Sequence, residues 1–245
     1  MLSKKEQKYI QSLKIKKYRT REKRFVVEGA KNVQELLSSD FDVELVLATN
    51  SFLTEYSFNT NNHSRVEEVS DKLLAQLGTF KTNDSCLAQV RQKAMQPFKE
   101  AVDDHLFVLD GVGDPGNLGT IIRTLDWFGF KRLVCSKDCA EFYHPKTIAS
   151  TMGSFTRIDV FYEDLVHLLE KVEAPILGAD AAGSNIYQTK IQHGSVIVMG
   201  SESHGISPGV QQCIEQKVAI PRKGKSESLN VGIATGIIAG YLRNA

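Results

Sequence analysis

Short apolar runs recur along the chain, each closed by a cluster of polar and glycine residues. The runs at 106–109, 132–136, 158–161, 176–180, 196–199 and 217–220 have the length and composition of buried strands. Between most of them apolar positions fall three and four apart, as on a helix. Leu118, Ile121, Ile122, Leu125 and Phe128 mark one such face, and Leu229, Ile233, Ile237 and Tyr241 mark another. Nearer the N-terminus, Phe25–Val27 reads as a strand turning at Glu28-Gly29, residues 32–37 as a helix, and 43–48 as a second strand. Residues 49–64, rich in Asn, Ser and Thr, read as a loop; Arg65–Leu77 has helical spacing that Ser70 can break; residues 88–91 suit a third strand. The pattern predicts two α/β domains, over 1–98 and 104–245, with a linker containing Pro97.

The chain of 245 residues is 42% hydrophobic, enough for a sizeable core. Its net charge of +1 hides an asymmetry. Residues 1–24 hold ten Lys and Arg against two Glu, a local +8, and the remainder is −7. A solvated helix face is one explanation. The other is an arm that binds nucleic-acid phosphates through Lys14, Lys16, Lys17, Arg19 and Arg21, since clustered cations gain affinity by releasing counterions. Tyr9 and Tyr18 suit stacking on unpaired bases, although Tyr9 equally suits burial with Ile10 and Leu13. No apolar run approaches the ~18 residues of a membrane span, and the basic start lacks the apolar segment of a secretory signal. The four cysteines (86, 135, 139 and 213) lack zinc-site spacing and read as reduced residues of a cytoplasmic protein, with no metal expected.

Three strand–loop units carry candidate chemistry. Asp110–Gly116 is dense in turn residues, and Asn117 suits the cap of the helix that follows, which bears Arg123. Gly200–Gly209 follows the strand at 196–199 and contains Glu202. Pro221 stops the strand at 217–220, and the loop beyond it leads to Ser228 as a cap for a helix starting near Leu229, with Asn230 just inside. Gly236 and Gly240 within that helix imply that another segment or a ligand comes close. Ligands of α/β sheets bind beyond the carboxyl ends of the strands, so three such loops from one sheet suit one site. The glycine run 111–116 also matches a dinucleotide-binding fingerprint. Asp114-Pro115 makes a turn where that fingerprint needs helix, and the next strand ends in Cys135-Ser136-Lys137 without its acidic residue.

Asn117-Leu118-Gly119 with Arg123, Gly200-Ser201-Glu202 with Gly205, and Ile220-Pro221 through Ser228-Leu229-Asn230-Val231 resemble, in order, the three motifs of the SpoU/TrmH family, RNA ribose 2′-O-methyltransferases of the SPOUT superfamily. The resemblance spans roughly 104–245. Phe25-Val26-Val27-Glu28-Gly29 is similar to the opening of the ribosomal-protein-like substrate-binding domain that precedes many such domains. Gly232, where many members have serine or alanine, and the pair Ser203-His204 depart from the pattern.

The resemblance implies a mostly parallel sheet with a trefoil knot, a homodimer formed through the C-terminal domain, and S-adenosyl-L-methionine as cofactor, held by backbone near Gly200, Ile220 and Leu229. It implies methyl transfer to an RNA ribose, in ribosomal rather than transfer RNA, with Asn117, Arg123, Glu202, Ser228 and Asn230 as the catalytic set. Within that set Asn117 and Glu202 would orient Arg123. A guanidinium keeps its proton, so Arg123 suits a phosphate clamp that polarises the hydroxyl; a base role needs a site that strongly favours proton loss. The alternative is a non-catalytic RNA-binding protein of the same fold. His144 and His204 read as ordinary polar residues.

Overall fold

The computed structural model describes residues 2–56, 64–80, 83–99 and 102–244; part of the loop expected at 49–64 lies outside them. In chain order the elements are α1 (Lys4–Ser12), α2 (Lys16–Glu22), β1 (Arg24–Glu28), α3 (Ala30–Leu37), β2 (Val43–Ala48), α4 (Asn50–Glu55), β3 (Arg65–Glu68), α5 (Asp71–Leu77), β4 (Cys86–Arg91) and β5 (Leu106–Asp110). They continue with α6 (Pro115–Trp127), β6 (Arg132–Ser136), α7 (Pro145–Thr151), β7 (Asp159–Glu163), α8 (Leu165–Leu169), β8 (Ile176–Asn185), β9 (Val196–Gly200), α9 (Pro208–Gln211), β10 (Gln216–Ala219) and α10 (Val231–Leu242). The chain divides into two compact units, residues 1–94 with 141–156, and residues 95–140 with 157–245.

The first unit is built on a mixed sheet ordered β1-β4-β2-β3, in which only the β2/β3 pair is parallel. The helix expected over Arg65–Leu77 is two elements. Arg65–Glu68 pairs with Leu45–Ala48 as β3, and Ser70 then caps α5 by accepting from the Leu73 N–H at 3.3 Å. The first turn of the expected loop is helical, as α4. Ile10 and Leu13 join Val26, Leu47, Leu74 and Leu87 in the core, with Tyr9 packed against them, so that tyrosine serves packing. The buried Glu28 accepts from the backbone N–H groups of Thr79 and Phe80, which ties the end of β1 to the segment after α5. Residues 141–156 pack with this unit through Tyr143 and Phe155, whose rings meet Phe25 at 4.5 and 6.2 Å.

In the second unit the described strands form a sheet ordered β10-β8-β9-β5-β6-β7, and every pair in it is parallel. A parallel sheet is covered on both faces, which is why Leu106–Asp110 and Val196–Met199 are buried at every position. On one face Leu106, Val108, Val134, Val196 and Val198 pack with Leu165, Leu169 and Val210. Elsewhere in this unit α6 and α10 lie against each other at very short range. A Cβ on Gly232 would meet Thr120 at 3.2 Å, on Gly236 Thr124 at 3.4 Å, and on Gly240 Phe128 at 3.1 Å. The close segment that the glycines of this helix imply is therefore α6. The stripe of Leu229, Ile233, Ile237 and Tyr241 is not the buried face, since Leu229 and Ile233 are 47% and 54% exposed. The buried positions are Val231, Gly232, Thr235, Ile238, Ala239 and Leu242, because small residues on that side let the helices approach. Arg243 fastens the end of α10 with a bidentate pair to Asp104 (3.0 and 2.7 Å) and a bond to the Phe128 carbonyl.

Candidate active site

All the strands of the second sheet run one way, so the loops after β5, β9 and β10 leave from the same edge. Each is shaped by its own sequence. After β5, Asp114 rather than Asn117 caps α6, accepting from the Asn117 N–H at 2.9 Å with Pro115 in the first helical position. That frees the Asn117 carboxamide to leave the helix. After β9, Ser201 and Gly205 exchange two backbone hydrogen bonds, and the tight turn presents Glu202. A Cβ on Gly200 would lie 2.2 Å from the Gly205 carbonyl carbon, so no other residue fits there. The buried Asp110 anchors the far side of this turn by accepting from the Ser207 N–H at 2.6 Å. After β10, the helix begins later than its spacing suggests: Asn230, not Ser228, is the cap, its Oδ1 accepting from Gly232 and Ile233 at 3.0 and 3.3 Å.

These shapes bring three side chains together. Asn117 Nδ2 donates to Glu202 Oε1 at 2.5 Å, and Asn230 Nδ2 donates to the same oxygen and to Asn117 Oδ1, both at 3.0 Å. The result is a closed hydrogen-bonded ring whose orientation is determined. Capping turns the Asn230 oxygen toward α10, so its nitrogen faces the ring, and Asn117 must then accept with its oxygen and donate with its nitrogen. The starts of two helices, α6 and α10, thus converge on Glu202 through the amides of Asn117 and Asn230.

The other residues singled out by sequence lie outside the ring. Arg123 is six residues beyond Asn117, about 9 Å further along α6, and is exposed; neither Asn117 nor Glu202 holds it. Ser228 is exposed, and its carbonyl accepts from Ser226 Oγ at 3.0 Å. Ile220 is half-buried and Leu229 exposed, next to the ring residue Asn230. His144 caps α7 and His204 sits exposed in the turn after β9. The buried thiols of Cys135 and Cys139 support the first loop: Cys139 Sγ accepts from the Val112 N–H at 3.2 Å. The pKa of the Cys139 thiol is lowered to about 7, chiefly by its bond with Cys135. Among the described residues no group of His, Cys, Asp and Glu is placed to hold a metal ion.

In the basic arm two residues of the expected RNA-binding set are engaged within the protein. Arg19 is 1% exposed, its guanidinium paired with both oxygens of Glu141 and donating to the Leu13 carbonyl. Its planar fork suits that buried pairing, as a lysine would not. Lys14 donates to the carbonyls of Gln76 and Gly78 at the end of α5, a helix terminus that attracts cations. Lys16, Lys17 and Arg21 face solvent. Asp110 and Asp114 read in the sequence only as turn residues, which misses the anchor and the cap they supply, although Asp before Pro at a helix start is a recognisable signal for the second.

The SpoU rRNA methylase family matches residues 104–240, and an MRM3-like substrate binding domain matches residues 4–88. The chain belongs to the SpoU rRNA methylase family. Among its relatives, the 23S rRNA (guanosine(2553)-2′-O)-methyltransferase RlmP of Bacillus subtilis is 27% identical over 242 residues, covering 94% of this chain and 93% of its own. A putative RNA methyltransferase of the TrmH family from Porphyromonas gingivalis has the same fold, with a TM-score of 0.89 and 32% identity over 100% of this chain and 99% of that one. The AdoMet-bound rRNA methyltransferase of Sinorhizobium meliloti superposes with a TM-score of 0.85 and 25% identity, over 100% and 97% of the two chains. The three loops that build the ring all lie within the residues that the family model matches.

Proposed function

We propose that this chain transfers a methyl group from S-adenosyl-L-methionine to a ribose 2′-hydroxyl of RNA, in ribosomal rather than transfer RNA. The observation that carries the reading is the ring of Asn117, Glu202 and Asn230, one residue from each of three loops at the carboxyl edge of a parallel sheet. RlmP, a 23S rRNA 2′-O-methyltransferase, and the AdoMet-bound methyltransferase of S. meliloti support it. The loops suit a ligand held by main chain: at Gly113, Gly205 and Gly224, one in each, a Cβ would meet open space. Backbone near Gly200, Ile220 and Leu229 would hold the cofactor, which supplies an electrophilic methyl group when bound.

The chain's own contribution is placement, since in-line attack depends on geometry. Arg123, exposed and unpaired among the described residues, would clamp a phosphate beside the target ribose with its bidentate fork. The ring would orient the ribose, with Ser228 contacting ribose or cofactor. Lys16, Lys17 and Arg21 would hold RNA on the first unit. The second unit would carry the trefoil knot of its family, and the protein would act in the cytoplasm. Transfer of labelled methyl from S-adenosylmethionine to total RNA, followed by nucleoside digestion, should yield labelled 2′-O-methylribose. No incorporation, together with no cofactor binding in calorimetry, would favour a non-catalytic RNA-binding protein.

Exposed Leu229 and Ile233, with exposed Tyr187 in ring contact at 5.5 Å with the half-buried Tyr241, support a homodimer through this unit. Elution at twice the 27.2 kDa chain mass is expected, and Ile233→Glu, which would bury a charge at that face, should shift it to the monomer position. A wild-type protein eluting at the monomer position would discard the dimer.

A further inference from the structure

The loop between β10 and α10 is exposed at every residue from Arg222 to Asn230. It carries Arg222, Lys223 and Lys225 against the single acid Glu227, a local +2 within a stretch, residues 25–245, that is −7 overall. The loop is folded on itself. Arg222 Nη1 donates to the Ser226 carbonyl at 3.3 Å, and Ser226 Oγ donates to the Ser228 carbonyl. Lys223 and Lys225 make no hydrogen bond or ion pair among the described residues, and Gly224 between them faces open space. Lys225 is five residues from Asn230, which the ring with Asn117 and Glu202 holds in place.

Exposed lysines are usually a solvated face. These stand on a loop braced by its own hydrogen bonds, anchored at one end in the ring, and opposite in sign to the chain around it. We propose that Lys223 and Lys225 grip RNA phosphates flanking the target ribose, with Arg222 bracing the loop that presents them. This rests on the RNA methyltransferase reading and adds to it a phosphate site on the catalytic unit, separate from Arg123 and from the basic arm. An ammonium on a flexible stem suits a phosphate whose exact position varies with sequence.

The test uses the full chain and a single-stranded RNA of about 20 nucleotides, titrated between about 50 and 200 mM salt. Each phosphate of a single strand that a lysine neutralises adds about 0.7 to the slope of log affinity against log salt, so Lys223→Ala with Lys225→Ala should flatten it by about 1.4. Affinity at the lowest salt should fall about tenfold or more. Lys223→Arg with Lys225→Arg should restore the slope, and S-adenosylmethionine affinity in calorimetry should hold. A slope equal to wild type overturns the proposal. So does a loss of cofactor affinity, which would place the lysines on the cofactor instead. If the wild type transfers no methyl yet the slope still flattens, the enzymatic reading fails and the phosphate grip stands.

Discussion

Replacing Arg123 by alanine should lower kcat for methyl transfer by at least about 10²- to 10³-fold, the loss typical of removing one charged or hydrogen-bonding group from a transition state. The cofactor dissociation constant should stay within about twofold, because the cofactor is assigned to the other loops. Stability should change little, since the side chain is exposed and unpaired among the described residues. That separation is what makes the variant decisive: a structural residue would move stability, and a cofactor ligand would move cofactor affinity. Lysine at the same position keeps the charge and loses the fork, so partial activity would point to charge and none to bidentate geometry. Unchanged turnover in the alanine variant would take Arg123 out of the mechanism.

Gly200→Ala should be severely damaging, since the added methyl would press into backbone. Its Cβ would sit 2.2 Å from the Gly205 carbonyl carbon and 2.4 Å from the Ile206 nitrogen, both backbone atoms that cannot rotate away. Overpacking of this kind costs about 3 kcal/mol or more. For a chain of this size that is a fall in melting temperature of roughly 6–12 °C. If the turn opens to relieve the clash, Glu202 leaves the ring and methyl transfer should fail even well below the melting temperature. A variant that melts and turns over like wild type would show that the turn is not held as described.

Most of the strands were legible because buried parallel strands are written as unbroken apolar runs, and Leu106–Leu109 and Val196–Met199 could be little else. Arg65–Glu68 was not, since a short polar edge strand leaves no apolar run, and Val66 with Val69 just beyond the strand also fits a helical period. Helix starts were displaced for a related reason. Asp114 and Asn117, or Ser228 and Asn230, are all competent caps, and only three-dimensional context selects one. The selection matters, because the cap chosen after β5 is what leaves Asn117 free for Glu202. Among ten cations in the arm, no local pattern marks Arg19 as the inward one, since its partner Glu141 is 122 residues away. The packing of residues 141–156 with the first unit is likewise a long-range fact that periodicity does not carry.

The three glycines of α10 have a consequence for motion. Each costs a helix about 1 kcal/mol relative to alanine, so α10 has little stability of its own and owes its form to docking on α6 and to the clasp of Arg243 on Asp104. Loss of that docking would detach the helix while the sheet keeps its own strand pairs. Its first residue follows Asn230, so each detachment would dissolve one corner of the ring and release the loop that precedes it. The placement of that loop's end thus depends on how tightly two helix surfaces fit.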